Sequence, residues 1–442
     1  MSGMKLLHAL SLSVLLALGA CGGSSGPTAL PAASWSEPVP VPASDVPDPS
    51  RLQTLVPDAA GGVTVSWDRL YGMPGFAHRQ PSGIWSEVPS IVAVPGSSYR
   101  AWTIGASGVD SVLMETGGLT ATRFTTGAWS APVPVASSVP IHASLADSAI
   151  YDAHRRLAYS PLATTGGLAP AVTRYDPAAG GWQPVEQLSP LPGTTQVYMG
   201  NGAIAADGRT MATWWTQVNG EIKFVYYTFR PGAGWSGPAV LPGIDSSLAV
   251  TALTPTGRGA AYGISAGVDG SFLISHSRRT TKVDELVLTR FHPNTGWEPP
   301  VVVASAPAST GDYSTILSRV YQGDGGHILA IWVESMQLQP GRTEVWWSRF
   351  YDPATGWTAQ VRAPEAYRGT AVRVDASGKV LVASQSGIST LDVNGQWVTL
   401  NPLPYRASHG FTYFAIEPSG DVTAVWPKLE NNRTTFMSST YR

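Results

Sequence analysis

Few residues of this chain are of types that do chemistry, and their spacing decides which chemistry is open to them. Cys21 is the single cysteine among 442 residues. A lone thiol can form neither an internal disulfide nor a cysteine metal cluster, so acylation is the one role that accounts for both its presence and its position. The eight histidines are scattered. No His-x-His, His-Glu-x-x-His or Asp-x-Asp-x-Asp-Gly spacing occurs, so neither a metal nor another cofactor is expected. Gly323-Asp324-Gly325-Gly326 lies between two strand-like segments and reads as a turn, not as a phosphate cradle ahead of a helix. One cationic group stands out in a chain with only 13% charged residues: His276, Arg278, Arg279 and Lys282 within 265–285, with Arg342 in 335–344. Guanidinium forks of this kind suit an acidic partner, and these five are the candidate binding residues. No catalytic constellation is recognised.

The N-terminus gives Cys21 its context. Residues 1–20 combine Lys5, an apolar run over 6–18 and small residues before the cysteine, the layout of a secretory signal. The run is too short to span a membrane. Leu18-Gly19-Ala20-Cys21 resembles a bacterial lipobox, which implies that the thiol carries lipid and that Cys21 becomes the mature N-terminus. Gly22, rather than Asp, follows it, which by resemblance to proteobacterial sorting implies the outer membrane. Residues 22–34 are a Gly/Ser/Pro/Ala tether with nothing to bury. The expected organisation is a signal over 1–20, a lipidated cysteine and tether over 21–34, and one folded domain over 35–442, held in the cell envelope by its lipid.

The elements that must position the candidate residues follow from composition and repetition. A net charge of −2, with no basic run longer than a pair, gives no electrostatic footprint for nucleic acid. The 47 Gly, 36 Pro, 16 Trp and 16 Tyr indicate short strands joined by tight turns. A Trp-led strand recurs eight times, at Trp35, Trp85, Trp129, Trp182, Trp235, Trp297, Trp357 and Trp397. The mean interval of about 52 residues is the length of a four-stranded blade. Between these lie segments of the form strand, Asp/Pro-Gly turn, strand: LVPDAAGGVTVSW, AIAADGRTMATWW, TALTPTGRGAAYG, YQGDGGHILAIW, RVDASGKVLVAS and AIEPSGDVTAVW. In four of them Trp67, Trp214, Trp332 or Trp426 shares a strand face with a smaller residue two positions earlier, which is what closely stacked sheets require.

Each unit therefore reads as a four-stranded antiparallel meander, and the expected fold is an all-β propeller of eight blades, with seven as the alternative. The last unit has three strands and no fourth, whereas Trp35 begins a fourth strand with nothing before it. Pairing 35–41 with 434–441 solves both and removes the open sheet edges. In such a ring the turns between second and third strands face away from the Gly turns. The segments 265–285 and 335–344 read as long loops on that face, and loops on rigid scaffolds commonly carry function.

Residues 35–442 resemble the broad group of bacterial lipoproteins built from Trp-rich, sialidase-like or kelch-like propeller repeats. Tyr175-Asp176-Pro177 to Trp182 and Tyr351-Asp352-Pro353 to Trp357 are similar to the kelch hairpin between third and fourth strands. The stretch from Asp352 to Trp357 is also similar to the Trp-docking repeat of eight-bladed quinoprotein-like propellers. The resemblance implies the architecture and a monomeric binding protein, since propellers host many functions. None of the turns reads Ser-x-Asp-x-Gly-x-x-Trp, the box that the sialidase resemblance would call for. The expected function is a protein-interaction scaffold. The alternative is a carbohydrate-binding propeller that would stack sugars on Trp102, Trp215 or Trp347, and a glycoside hydrolase ranks below both.

Overall fold

Alternation of apolar with small or polar residues at period two lets both faces of every sheet be covered by its neighbours, and the Gly turns fold each repeat back on itself. The computed structural model describes residues 33–442, apart from 43–45, 48–51, 69–73, 92–97, 106–107, 116–117, 126, 139, 143–148, 244–261, 280–281, 308–315, 339–340, 366–369, 393, 404, 406–410 and 432. Eight antiparallel sheets form, and the alternative of seven is excluded.

Blade 1 comprises Leu52–Pro57, Val63–Asp68, Pro74–Arg79 and Trp85–Val88. Blade 2 comprises Ser98–Gly105, Gly108–Glu115 and Leu119–Thr125 with an outer strand in two pieces, Ala128–Trp129 and Val133–Pro134. In blade 3 the inner strand includes Ile150–Tyr151, followed by Ala158–Thr164, Pro170–Asp176 and Gly181–Trp182. Blade 4 runs Thr194–Ile204, Thr210–Val218, Glu221–Arg230 and Gly234–Val240; blade 5 runs Tyr262–Ala266, Phe272–Arg279, Val283–His292, then Gly296–Trp297 and Val301–Pro307. Blade 6 is Ile316–Gln322, Ile328–Leu338, Gly341–Asp352 and Gly356–Trp357, and blade 7 is Ala371–Val374, Val380–Ser384, Gly387–Leu391 and Trp397–Asn401. Blade 8 supplies Tyr413–Ile416, Val422–Glu430 and Arg433–Tyr441, and takes its outer strand from Val39–Pro40 and Val46–Pro47.

The N-terminal strand thus closes the ring. Val39 lies opposite Ser438 and Trp35 bridges Tyr441. Ser34 N donates to Arg442 O at 3.0 Å, Ser36 N to Thr440 O at 2.8 Å and Val41 N to Phe436 O at 2.8 Å. From blade 3 round to blade 1 the first strands of successive blades adjoin one another, so they are the innermost strands of the ring. The meander puts every Gly turn, between first and second strands and between third and outer strands, on one face. The turns between second and third strands are on the other.

The core is distributed over eight clusters, each drawn from two successive blades. Every one receives the leading Trp of the later blade's outer strand: Trp85 between blades 8 and 1, Trp129 between 1 and 2, and so on to Trp35 between 7 and 8. Several of these indoles donate back to the preceding blade. Trp85 Nε1 reaches Ser438 Oγ at 2.8 Å, Trp129 Nε1 the Pro89 carbonyl at 2.7 Å, and Trp397 Nε1 Ser348 Oγ at 2.8 Å. Trp67, Trp214 and Trp332 on second strands are wholly buried beside Val65, Ala212 and Ala330, as the small-beside-large spacing requires. At about 25 cal/mol per Å² and roughly 200 Å² per indole, each contributes about 5 kcal/mol of gross burial energy.

Candidate functional site

The structure places the cationic candidates differently from the sequence reading. The segment 265–285 is not a long loop. It holds the end of an inner strand, a tight turn over 267–271, the second strand Phe272–Arg279, a short turn, and the start of the third strand Val283–His292. Asp269 makes the tight turn by accepting from Ser271 N at 3.0 Å and from its hydroxyl at 2.6 Å, and Gly270 takes φ 76° there. The Gly-rich look of SAGVDGS therefore marks the first-to-second-strand turn of blade 5. TALTPTGRGAAYG had been assigned that role, but 251–261 of it lie outside the described residues, and Tyr262 and Gly263 only begin the inner strand. The segment 335–344 is likewise no loop but the end of one long hairpin, with Gln337 opposite Arg342 and Leu338 opposite Gly341.

His276 is 2% exposed, in mid-strand, on the face that carries Phe272 and Ile274 toward blade 4. Burial, reinforced by the Arg278 charge, pulls its pKa down to about 4. It is a neutral core residue, not a contact for a partner. Arg278 is engaged across its own hairpin, with Nε and one terminal nitrogen each 2.7 Å from Glu285 Oε2. Arg279 stands in register with Asp284, and of Arg279 and Arg342 only the backbone register is described. Lys282 is exposed in the turn. Arg278, Arg279, Lys282 and Arg342 do share one face of the ring, at neighbouring blades 5 and 6. Cys21 lies outside the described residues.

The proposed sugar platforms change in the same way. Trp102 and Trp215 are 3% and 2% exposed and belong to the clusters between blades 1 and 2 and between blades 4 and 5, so neither offers an open ring. Trp347 is half-buried, with the Arg362 guanidinium carbon 5.3 Å from its centroid.

Two polar constellations escaped the sequence reading. The first sits at the Gly-turn end of blade 1. Thr64 Oγ1 is 3.1 Å from His78 Nδ1, and His78 Nε2 is 3.8 Å from Asp58 Oδ2, a hydroxyl–imidazole–carboxylate order. Its accessibility argues against chemistry. All three side chains are sealed, and Asp58 Oδ1 is already held by the amides of Ala60 and Gly62 at 2.8 Å. Burial also holds the His78 pKa below its usual value against the opposing pull of Asp58. Beside it, buried Arg79 pairs with Glu417 of blade 8 and donates to Thr423 Oγ1 at 2.9 Å.

The second lies at the inner ends of blades 2 and 3. The turn over 152–157 brings His154 Nδ1 to 3.2 Å from the Pro57 carbonyl of blade 1. It carries Arg155, whose guanidinium carbon lies 4.1 Å from the centroid of Trp102 and 4.1 Å from that of Tyr151. Trp102 N donates to Tyr151 Oη at 3.3 Å, and Ile104 N to the Arg155 carbonyl at 2.9 Å, which fixes the cage. Packing pushes the Arg155 pKa down from its ordinary value, opposed by Tyr151 and Tyr99. Burial likewise pushes both phenols up. The turn carries no Gly, so the Gly-turn pattern could not find it; the Asp152 that ends the inner strand was the available signal.

No family model and no curated protein matches this chain. Solved structures do. A prolyl endopeptidase matches with 12% identity and a TM-score of 0.44, over 85% of this chain and 54% of its own, so this chain spans about half of that enzyme. The polysaccharide lyase Uly1 matches with 9% identity and a TM-score of 0.44, over 90% of both chains. Virginiamycin B lyase from Staphylococcus aureus matches with 11% identity and a TM-score of 0.35, over 92% of this chain and 99% of its own. These similarities concern the fold alone and assign no activity to this chain.

Proposed function

We propose that this chain is a lipid-anchored propeller of the bacterial envelope that works by binding, holding a protein partner on the face opposite its tether. The observation that carries this reading is the entry point of the closing strand. Ser34 and Trp35 meet Arg442 and Tyr441 at the start of the outer strand, on the Gly-turn face. The closing strand therefore enters the ring at that rim, and the opposite face, clear of this entry point, is the one assigned to the partner.

The clear face is uneven in a way that suits a shaped partner. The second strands of blades 6, 7 and 8 all start directly after a Gly turn, yet they run 11, 5 and 9 residues. At about 3.4 Å per residue, blade 7 stops roughly 14–20 Å short of its neighbours. Lys282 and the register position of Arg342 lie on this same face.

Two measurements test the reading. Cys21→Ala should release the protein from the membrane fraction and remove the mass of the lipid. Photo-crosslinking residues placed at 282 and 342 should capture one discrete partner in intact envelopes, while residues at Thr355 and Ser377 on the Gly-turn face should not. Retention of the Cys21→Ala protein in membranes, or equal capture from both faces, would refute it.

A further inference from the structure

The repeat supplies its own standard for comparison. In the first-to-second-strand turns of blades 1, 4, 5, 7 and 8, one residue donates its amide to the carbonyl three positions back: Gly61 to Asp58, Gly208 to Ala205, Gly270 to Gly267, Gly378 to Asp375, Gly420 to Glu417. Each of these glycines has φ between 76° and 97°, the left-handed region that glycine enters freely. In blade 3 the same bond runs from Arg155 N to Asp152 O at 3.0 Å, and Arg155 has φ 51°. A side chain here carries backbone strain that glycine avoids. Among the six turns that share this bond, blade 3 alone has a side chain at the position, and that side chain is a cation.

What surrounds that cation shows what it lacks. Trp102 and Tyr151 both pack on the guanidinium, each with its ring centroid 4.1 Å from the central carbon, and two cation–π contacts restrict where it can move. Among the described residues no carboxylate pairs with Arg155, and its guanidinium makes no hydrogen bond to any of them. Its neighbours in the ring differ: Arg123 reaches the Gly180 carbonyl at 2.9 Å, Arg349 the Val303 carbonyl at 3.0 Å, and Arg79 is sealed against Glu417. The Arg155 nitrogens are not among the sealed polar atoms without a partner, whereas Arg79 Nε and Arg290 Nε are. Arg155 is half-buried, and burial is the main cause that lowers its pKa, so its donors sit in a partly desolvated setting. A fixed guanidinium with free in-plane donors in a partly desolvated setting is complementary to an oxyanion, which it grips through two parallel hydrogen bonds.

We propose that Arg155, caged by Trp102 and Tyr151 at the inner ends of blades 2 and 3, is a binding site for an oxyanion of a small ligand, a carboxylate or a phosphate group. The site lies on the Gly-turn face, opposite the partner face proposed above, and stands independently of that reading. Tyr99, on the inner strand of blade 2, acts electrostatically on Arg155.

The test uses the full-length protein and three monosaccharides that differ in charge: glucuronate, glucose 1-phosphate and neutral glucose. Saturation-transfer NMR should give a saturable, salt-sensitive signal for at least one anionic probe and none for glucose. The variant Arg155→Gly installs the residue the other blades use, so its backbone is relieved rather than strained, and circular dichroism should show the same fold. Its affinity for the anion should fall at least tenfold. A signal for glucuronate alone identifies a carboxylate site, and one for glucose 1-phosphate alone a phosphate site. Absence of saturable binding of either anion to the parent protein overturns the proposal, as does undiminished binding to a folded Arg155→Gly variant.

Discussion

The covalent ring is broken in one place, between the third strand of blade 8 and the N-terminal strand beside it, and the Arg79–Glu417 pair spans that break. Arg79 belongs to blade 1, Glu417 to the Gly turn of blade 8, and both side chains are nearly sealed from water. Thr423 Oγ1 donates to Glu417 Oε1 at 2.7 Å, and the Glu417 carbonyl also accepts from an Arg373 terminal nitrogen at 2.6 Å, so blades 7, 8 and 1 meet at one turn. Glu417→Leu would leave a guanidinium buried without a counter-charge, and Arg79→Met a carboxylate. Breaking such a pair from either side costs about 3–5 kcal/mol, whereas replacing both partners with apolar residues of similar size is close to neutral. Unfolding entropy near 2.1 cal/mol/K per residue, over the 409 residues of 34–442, gives about 0.86 kcal/mol/K, so each single variant should melt roughly 3.5–6 °C lower. Scanning calorimetry and urea titration of the parent, both single variants and the double variant complete the cycle. The reasoning fails if the double variant loses the sum of the two single losses, because the charges would then not be coupled.

The remaining predictions concern closure, titration and interblade hydrogen bonds. Deleting 22–30 should leave the melting temperature unchanged, while deleting 35–41 should lower it markedly by exposing the edge of Arg433–Tyr441; equal melting temperatures would exclude closure through this strand. Because His276 has a folded pKa of about 4, below the roughly 6.5 of an unfolded histidine, the unfolded chain binds the extra proton as pH falls through that window. Stability should therefore be full above pH 6.5 and decline by about 3 kcal/mol toward pH 4, and His276→Gln should flatten that decline in pH-dependent urea titrations. Trp397→Phe removes the donor to buried Ser348 and should cost about 1–2 kcal/mol more than Trp182→Phe, whose indole nitrogen has no partner to lose among the described residues; equal losses in calorimetry would deny the hydrogen bond its role.

The architecture was legible because it is written in repetition. Eight leading tryptophans and a strand missing at one end and spare at the other admit one closed arrangement, and Trp35 beside Tyr441 is that arrangement. Blade 5 was misread because two Gly-containing stretches compete for its first turn, and period two in Phe272, Ile274 and His276 was hidden by their polar neighbours. That slip turned a buried strand into a loop, and with it a core histidine into a surface contact. The long hairpin of blade 6 was misread as a loop for a related reason. Met336, Gln337 and Arg342 lack the apolar alternation by which a strand is recognised, although their backbone is paired in the hairpin.

The site was harder to see because length and polarity are poor guides in a repeat protein. Insertions attract attention, yet a hairpin absorbs extra residues simply by growing longer, as blade 6 does with strands of 11 and 12 residues. A change of residue type inside a turn only one residue longer than its counterparts, closed from Asp152 N to Leu157 O where blade 1 closes from Asp58 N to Gly62 O, is less visible and more constrained. At Arg155 the backbone must hold a conformation that five other blades reserve for glycine, and Asp152 Oδ1 accepting from Leu157 N at 2.7 Å helps to hold it. Glycine would relieve about 1 kcal/mol of backbone strain but would give up both ring contacts, each of comparable size, so the Arg155 side chain also serves the packing of blades 2 and 3. Packing and anion binding are two roles that one side chain can fill together, and Arg155→Gly tests both, because it keeps a residue suited to the backbone while removing the stem, the ring contacts and the charge: a lowered melting temperature reads the first role, a lost anion affinity in the folded variant the second.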